Sequence, residues 1–280
     1  MNISNLKGKT AVITGAGGVL CGAFAHELAK YGVKIAVVDL NLEAAQKIAA
    51  QINEAGGNAK EFSCNVLDKE SVIKCEQEIS TYFGTYHILI NGAGGNNPKA
   101  NTTNEYYDEA DVENPDIISF FDLSIDGFSS VFSLNFMGSF IPTQVFARKL
   151  INVKGASIIN MSSMSSPFPM TKVPAYSAAK AAIDNFTKWT AVHFAKTGLR
   201  VNAIAPGFFL TNQNHDLLIK PDGSLTARSE KIISHTPMGR FGEVEDLLGT
   251  LLWLCDDSMS GFITGVTIPV DGGFLAYSGV

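Results

Sequence analysis

Charge and cysteine are both scarce in this 280-residue chain. Only 17% of its residues are Asp, Glu, Lys or Arg, against roughly 25% in an average globular protein. So few charges imply a large core or an extensive subunit interface. Lys plus Arg number 21 and Asp plus Glu 27, a formal charge of −6. Without surplus cations the chain is poorly built to grip phosphate backbones, and nucleic acid is not expected as its main partner. No apolar run reaches the roughly 18–20 residues that cross a bilayer, so no membrane partner is expected. Met1 to Thr10 lack the apolar stretch of a secretory signal. The four cysteines, Cys21, Cys64, Cys75 and Cys255, are scattered without a CxxC pair. They read as reduced thiols of a cytoplasmic protein rather than as a disulfide or metal framework.

What the chain does have is alternation. Apolar runs fit for buried strands lie at Thr10–Ile13, Val33–Val38, Ala59–Cys64, His87–Ile90, Ser157–Met161, Arg200–Ala205 and Val266–Val270. Between them Leu20, Phe24 and Leu28 recur at helical spacing. Further helical patterns cover Leu42–Ala55, Lys69–Phe83, Ile125–Lys149, Ala175–Thr197 and Val244–Leu254. Seven strands separated by helices predict an α/β fold, a single doubly wound domain over residues 1–280 with one seven-stranded parallel sheet. No linker or repeat interrupts it. Two irregular segments, 95–126 and 208–236, are long for connections and are expected to surround a ligand pocket.

Ala11 to Leu20 runs from a strand through glycines into a helix. Free backbone N–H groups and the helix dipole favour a pyrophosphate at such a turn. Gly15 and Gly17 fit the GxGxxG spacing, but its third glycine is Leu20. Asp39 ends the second strand 24 residues after Gly15, near the roughly 20-residue offset of a ribose-binding carboxylate. Leu40 and Asn41 follow it. No adjacent cation could receive a 2′-phosphate, which favours NAD(H) over NADP(H). Read alone, the glycines suit an ordinary strand-to-helix turn, and Asp39 suits a helix cap.

Tyr176 and Lys180, spaced i and i+4, share one face of a helix. An ammonium beside a phenol lowers its pKa and lets it relay a proton to or from an alcohol or carbonyl. Alone, such a pair is an ordinary solvated helix face. Its context is specific, because Ser163 lies thirteen residues upstream, just after the strand Ser157–Met161. That places a hydroxyl at the sheet edge where ligands bind in such folds.

At this point the chain resembles the short-chain dehydrogenases/reductases, over essentially Lys9 to Gly273. The ordered motifs are Thr14-Gly15, Asp39, Asn91-Gly92-Ala93-Gly94, Asn135, Ser163, Tyr176/Lys180, Pro206-Gly207 to Thr211, and Val270-Asp271-Gly272-Gly273. The resemblance implies that Tyr176 is the general acid–base and that Ser163 orients the substrate carbonyl. Lys180 would hold the nicotinamide ribose and lower the Tyr176 pKa. Asn135 would hold a water in the proton relay. Cofactor contacts are implied at Thr14, Gly15, Gly17, Gly18, Val19 and Leu20, and at Asn65 and Val66. Further contacts are implied at Asn91, Gly92, Ala93 and Gly94, and at Pro206, Gly207, Phe209 and Thr211. Asn91 would also brace the central sheet. The chain departs from the family pattern in four ways. Val19 and Cys21 stand where glycines are usual, Asn65 replaces an Asp, and Gly92 replaces an Asn. The segment before Asn135 is also longer than usual. Cys21 is expected to be a small packed residue rather than a reactive thiol.

Finer motifs are similar to one branch, the D-mannonate oxidoreductases (fructuronate reductases). They are Thr14 to Leu20, Gly94-Gly95-Asn96-Asn97-Pro98-Lys99, Pro206 to Thr211, and Pro269 to Phe274. This implies hydride transfer between NAD(H) and the C5 carbonyl or alcohol of a hexonate. A gluconate 5-dehydrogenase or other polyol dehydrogenase is the nearest alternative, and a silent nucleotide-binding scaffold is an alternative of another class. A hexonate needs a cation for its carboxylate, and Lys99, Lys172 and Arg228 are the candidates. Asn96 and Asn97 are candidates for its hydroxyls, with a turn before Pro98 as their other reading. The resemblance also implies a homotetramer built on the helices near 125–149 and 175–197, with the final strand and the tail to Val280.

Overall fold

The structure, a computed structural model, describes residues 4–211 and 218–279. The segment expected at 208–236 therefore lies partly outside the described residues. Each predicted strand is present: β1 Thr10–Thr14, β2 Lys34–Asp39, β3 Asn58–Ser63, β4 Ile88–Asn91, β5 Ser157–Met161, β6 Arg200–Pro206 and β7 Thr267–Val270. They form one parallel sheet in the order β3-β2-β1-β4-β5-β6-β7. The chain leaves β1 toward β2 and β3, then returns to β4 on the other side of β1. That reversal opens a crevice at the strand ends, the usual ligand position in such sheets.

Strand alternation divides the core in two. Ile13, Ile35, Val37 and Ile90 point to one face, which α1 (Val19–Lys30) covers with Phe24 and Leu28. Val12, Val38, Leu89 and Ile158 point to the other, which α3 (Lys69–Phe83) and α4 (Ile125–Leu150) cover with Val72, Ile79 and Phe146. The remaining α-helices among the described residues are α2 (Leu42–Glu54), α5 (Pro174–Phe194), α6 (Ala227–Ser234), α7 (Glu245–Cys255) and the single turn α8 (Asp257–Ser260). Among the described residues, no helix is long and apolar enough to cross a membrane.

Two expectations change in detail. The helix expected over 175–197 ends at Phe194 and tightens into a 3₁₀ turn at Ala195–Thr197. Helix α6, inside the irregular second segment, was not expected. Thr226 caps it by accepting from Ser229 N, and Ser229, in its first turn, is fully buried.

Candidate functional site

The β1–α1 turn is built around backbone crowding. Gly15 has φ +67°, and a Cβ there would lie 2.9 Å from Ala93 of the β4 loop. Only glycine fits both constraints. A Cβ on Gly17 would lie 3.0 Å from Asp39 Oδ2, and the Gly17 N–H donates to that same oxygen at 2.9 Å. Asp39 Oδ1 accepts from Asn41 N at 2.9 Å. Helix α1 is preceded by Gly18 at its N-cap, with no side-chain cap, so its first N–H groups keep their capacity for an anion. Thr14 is buried; its Oγ1 accepts from Gly92 N at 3.1 Å and ties β1 to the end of β4. Asn65 is exposed and accepts from Leu67 N in a local turn, with Val66 buried beside it.

Beyond this turn a cavity of about 380 Å³ opens over the ends of β4, β5 and β6. Ser163, Tyr176, Lys180 and Asn135 all line it, together with Val19 and Leu20 of α1. Gly92, Gly94, Pro206, Gly207, Phe209 and Thr211 complete the walls that the sequence assigns to the cofactor. A neighbouring hollow of about 410 Å³ shares Phe208 and Phe209 but holds none of the four. Its charged pair, Arg240 and Asp246, is self-neutralised by two contacts at 2.7 and 2.9 Å.

The four polar residues differ in how they are held. Lys180 donates to Met161 O at 2.7 Å, and its Nζ stands 5.5 Å from the Tyr176 ring centre. Burial pushes its ammonium down to about 8, which Asp184, one turn along α5, opposes. Burial pushes the Tyr176 phenol above its ordinary 10, and a hydrogen bond with Ser163 works against that shift. Ser163 Oγ accepts from Ser165 N at 3.2 Å and from Ser165 Oγ at 3.1 Å. With two bonds accepted, its own proton is left to donate. Asn135 is fully buried, donating to Gly95 O at 2.6 Å and to Val131 O at 2.8 Å while accepting from Gly95 N. It fixes the cavity wall at Gly95 through both ends of its amide. Asn91 donates to Thr143 Oγ1 and Asn160 Oδ1, lacing β4 to α4 and β5.

Of the candidate substrate residues Ser163 lines the cavity, whereas Asn96, Asn97, Lys99, Lys172 and Arg228 do not. Asn97 accepts from Lys99 N in a turn, and Asn96 donates to Asn101. Lys99 is exposed and packs its stem on Gly127 of α4. Lys231 instead is ion-paired to Glu105 and holds its carboxyl below the ordinary range, with smaller charge contributions from Lys172 and Arg228. Lys172 adopts φ +70°, and its carbonyl accepts from Thr102 N, joining the run before α5 to the 95–126 segment. Glu105, Lys231, Ser165 and Asp184 were missed by sequence reasoning. Four serines in the five residues 162–166 were the one visible sign.

A family profile described as enoyl-(acyl carrier protein) reductase matches residues 18–275. The chain belongs to the short-chain dehydrogenase/reductase family. It is 59% identical over 276 residues to the uncharacterized oxidoreductase UxuB of Bacillus subtilis, covering 99% of this chain and 98% of that one. It is 32% identical to the 2-dehydro-3-deoxy-D-gluconate 5-dehydrogenase of Dickeya dadantii, covering 99% of each chain. Its fold superposes with a TM-score of 0.95, at 55% identity over the whole of both chains, on a Haemophilus influenzae protein with bound NAD, a proposed D-mannonate oxidoreductase. The protein is thus an NAD-dependent oxidoreductase. The glycine cradle at Gly15 and Gly17, the uncapped start of α1 and the Asp39 carboxylate with no neighbouring cation fit that dinucleotide.

Proposed function

We propose that the protein interconverts a sugar-acid alcohol and its ketone, with D-mannonate and D-fructuronate as the pair. The observation that carries this reading is the convergence of Ser163, Tyr176, Lys180 and Asn135 on one cavity over the ends of β4, β5 and β6. Lys231 is paired with Glu105. Among the described residues Lys172 and Arg228 form no ion pair of their own. Neither lines the cavity, so a hexonate would meet them only with a carboxylate end that extends beyond it, Arg as a planar clamp and Lys as a point charge. The similarity to the Haemophilus influenzae protein supports the same substrate.

In the reducing direction Ser163 donates its remaining proton to the substrate carbonyl oxygen and orients it. Tyr176 then gives its phenolic proton to that oxygen as the alcohol forms. Bound NADH supplies the hydride that the carbonyl carbon receives. Lys180, as an ammonium, lowers the cost of the phenolate left behind. Asn135 keeps the Gly94–Gly95 wall in place beside Lys180. Oxidation runs the same proton path backwards. A reducing, cytoplasmic setting suits four scattered cysteines with no CxxC pair. Exposed Trp189 and Val192 on α5 and Ile125 on α4 are apolar surface for a homotetramer.

The test is turnover of NADH with D-fructuronate, 5-keto-D-gluconate and D-fructose. Fructuronate is expected to exceed the neutral sugar by about 100-fold or more in kcat/KM, the scale of a charge pair desolvated on binding. Equal turnover of fructose would remove the carboxylate site from the account. Preference for 5-keto-D-gluconate would favour the gluconate 5-dehydrogenase reading.

A further inference from the structure

One carboxylate outside the described tetrad receives three hydroxyl groups. Asp184 lies on α5 one turn after Lys180 and two turns after Tyr176. Its Oδ1 accepts from Ser162 Oγ at 2.5 Å and from Thr267 Oγ1 of β7 at 3.0 Å. Its Oδ2 accepts from Ser166 Oγ. Ser162 and Ser166 bracket the short loop that carries Ser163. The two ends of that loop therefore hang on the two oxygens of one side chain, and β7 anchors the side chain in turn.

We propose that Asp184 is a positioning residue for Ser163, clamping both ends of the 162–166 loop and so setting where the Ser163 hydroxyl points. A carboxylate suits this task because it only accepts. It consumes the protons of Ser162 and Ser166, so neither hydroxyl is left to donate to Ser163. Ser163 takes its two incoming bonds from Ser165 alone. Its own proton is left for the cavity, where Ser163 stands beside Tyr176 and holds its phenol down against burial. The loop closes on itself as well, since Ser166 N donates to Ser163 O at 3.0 Å. Neighbouring rungs run parallel: Asn160 Nδ2 donates to Thr187 Oγ1 at 2.9 Å, and Lys180 donates to Met161 O. Residues 160, 161, 162 and 166 are thus fastened to α5 in succession, and Ser163 is presented from between them.

This inference rests on the reaction class and not on the choice of sugar acid. Its test is a double-mutant cycle between Asp184→Asn and Ser163→Ala. Turnover is read with NADH and D-fructuronate and, separately, with NADH and 2,3-butanedione, a small dicarbonyl that carries no carboxylate. Failure with fructuronate alone then counts against the substrate and not against the clamp. Asp184→Asn keeps the shape but turns a donor toward one hydroxyl. It is expected to lower kcat about 10-fold or more, because ångström-scale misplacement of a reacting group is costly. NADH affinity should stay within about twofold, since no cofactor contact is altered. In the Ser163→Ala background the same change should move kcat by less than about twofold. Equal losses in both backgrounds would make Asp184 merely structural, and no loss in the wild-type background would also overturn the proposal. Ser166→Ala removes one anchoring hydroxyl and leaves the carboxylate, so it keeps the test open if Asp184→Asn does not fold. A several-fold loss that vanishes beside Ser163→Ala is expected there, and a neutral result in both backgrounds contradicts the clamp.

Discussion

The sulfur of Cys21 occupies the volume in which a side chain at position 92 would begin. A Cβ placed on Gly92 would lie 2.1 Å from Cys21 Sγ. The family pattern has glycine at the first position and Asn at the second, so two separate departures are two halves of one contact. The bulk has moved from the end of β4 to the start of α1, and the cavity floor stays filled. Cys21 is buried, and that burial pushes its thiol up to about 12. It serves as packing and not as a nucleophile, as its sequence setting predicted.

Gly92→Ala should therefore destabilise the protein by about 1–3 kcal/mol, the usual cost of overpacking a filled site. In a Cys21→Gly background part of that loss should disappear. The Thr14 carbonyl, 2.7 Å from the same built Cβ, keeps the remainder. Thermal or denaturant unfolding of the four proteins measures the coupling. Equal losses with and without Cys21 would contradict it.

The buried Lys180 gives a pH limb. Its ammonium is lowered from the ordinary 10.5 to about 8. Below that value Lys180 is charged and supports the Tyr176 phenolate; above it the support is lost. For reduction, kcat/KM should be level below about pH 8 and fall above it, as a property of the coupled Lys180–Tyr176 pair. A pH–rate profile that stays flat to pH 10 would contradict the burial argument.

Asp39 is held by Gly17 N and Asn41 N, with both oxygens at the turn where a ribose would lie. Asp39→Ala removes a charged acceptor, a loss of about 1.5–3 kcal/mol, and relieves repulsion of a 2′-phosphate. NADH should bind more weakly and NADPH more tightly, as titration of cofactor fluorescence would report. Unchanged discrimination would show that other groups select the cofactor.

The sheet was legible because its signals are local. Ser157–Met161 and Lys69–Phe83 coincide with their predicted bounds, the first an apolar run and the second started by Asp68, whose side chain accepts from Glu70 N. Tyr176, Lys180 and Ser163 were legible from spacing within one helix and one strand end. Asp184 was not, because its hydroxyl donors come from positions 162, 166 and 267 and meet only after β7 is in place. Distance in sequence hid the Glu105–Lys231 pair in the same way, since 126 residues separate its members. Lys99 shows the converse. It stands close to the pocket in sequence, yet the turn made by Asn97 and Pro98 carries it onto the face of α4.

The most direct test of the mechanism is turnover of Tyr176→Phe with NADH and D-fructuronate, followed by loss of NADH absorbance, beside a titration of NADH binding. The substitution removes one hydroxyl and leaves the ring against Lys180. Turnover should fall by about 100-fold or more, the scale of a lost general acid, while NADH binding persists. Turnover within a few-fold of the unaltered protein would contradict Tyr176 as the proton donor.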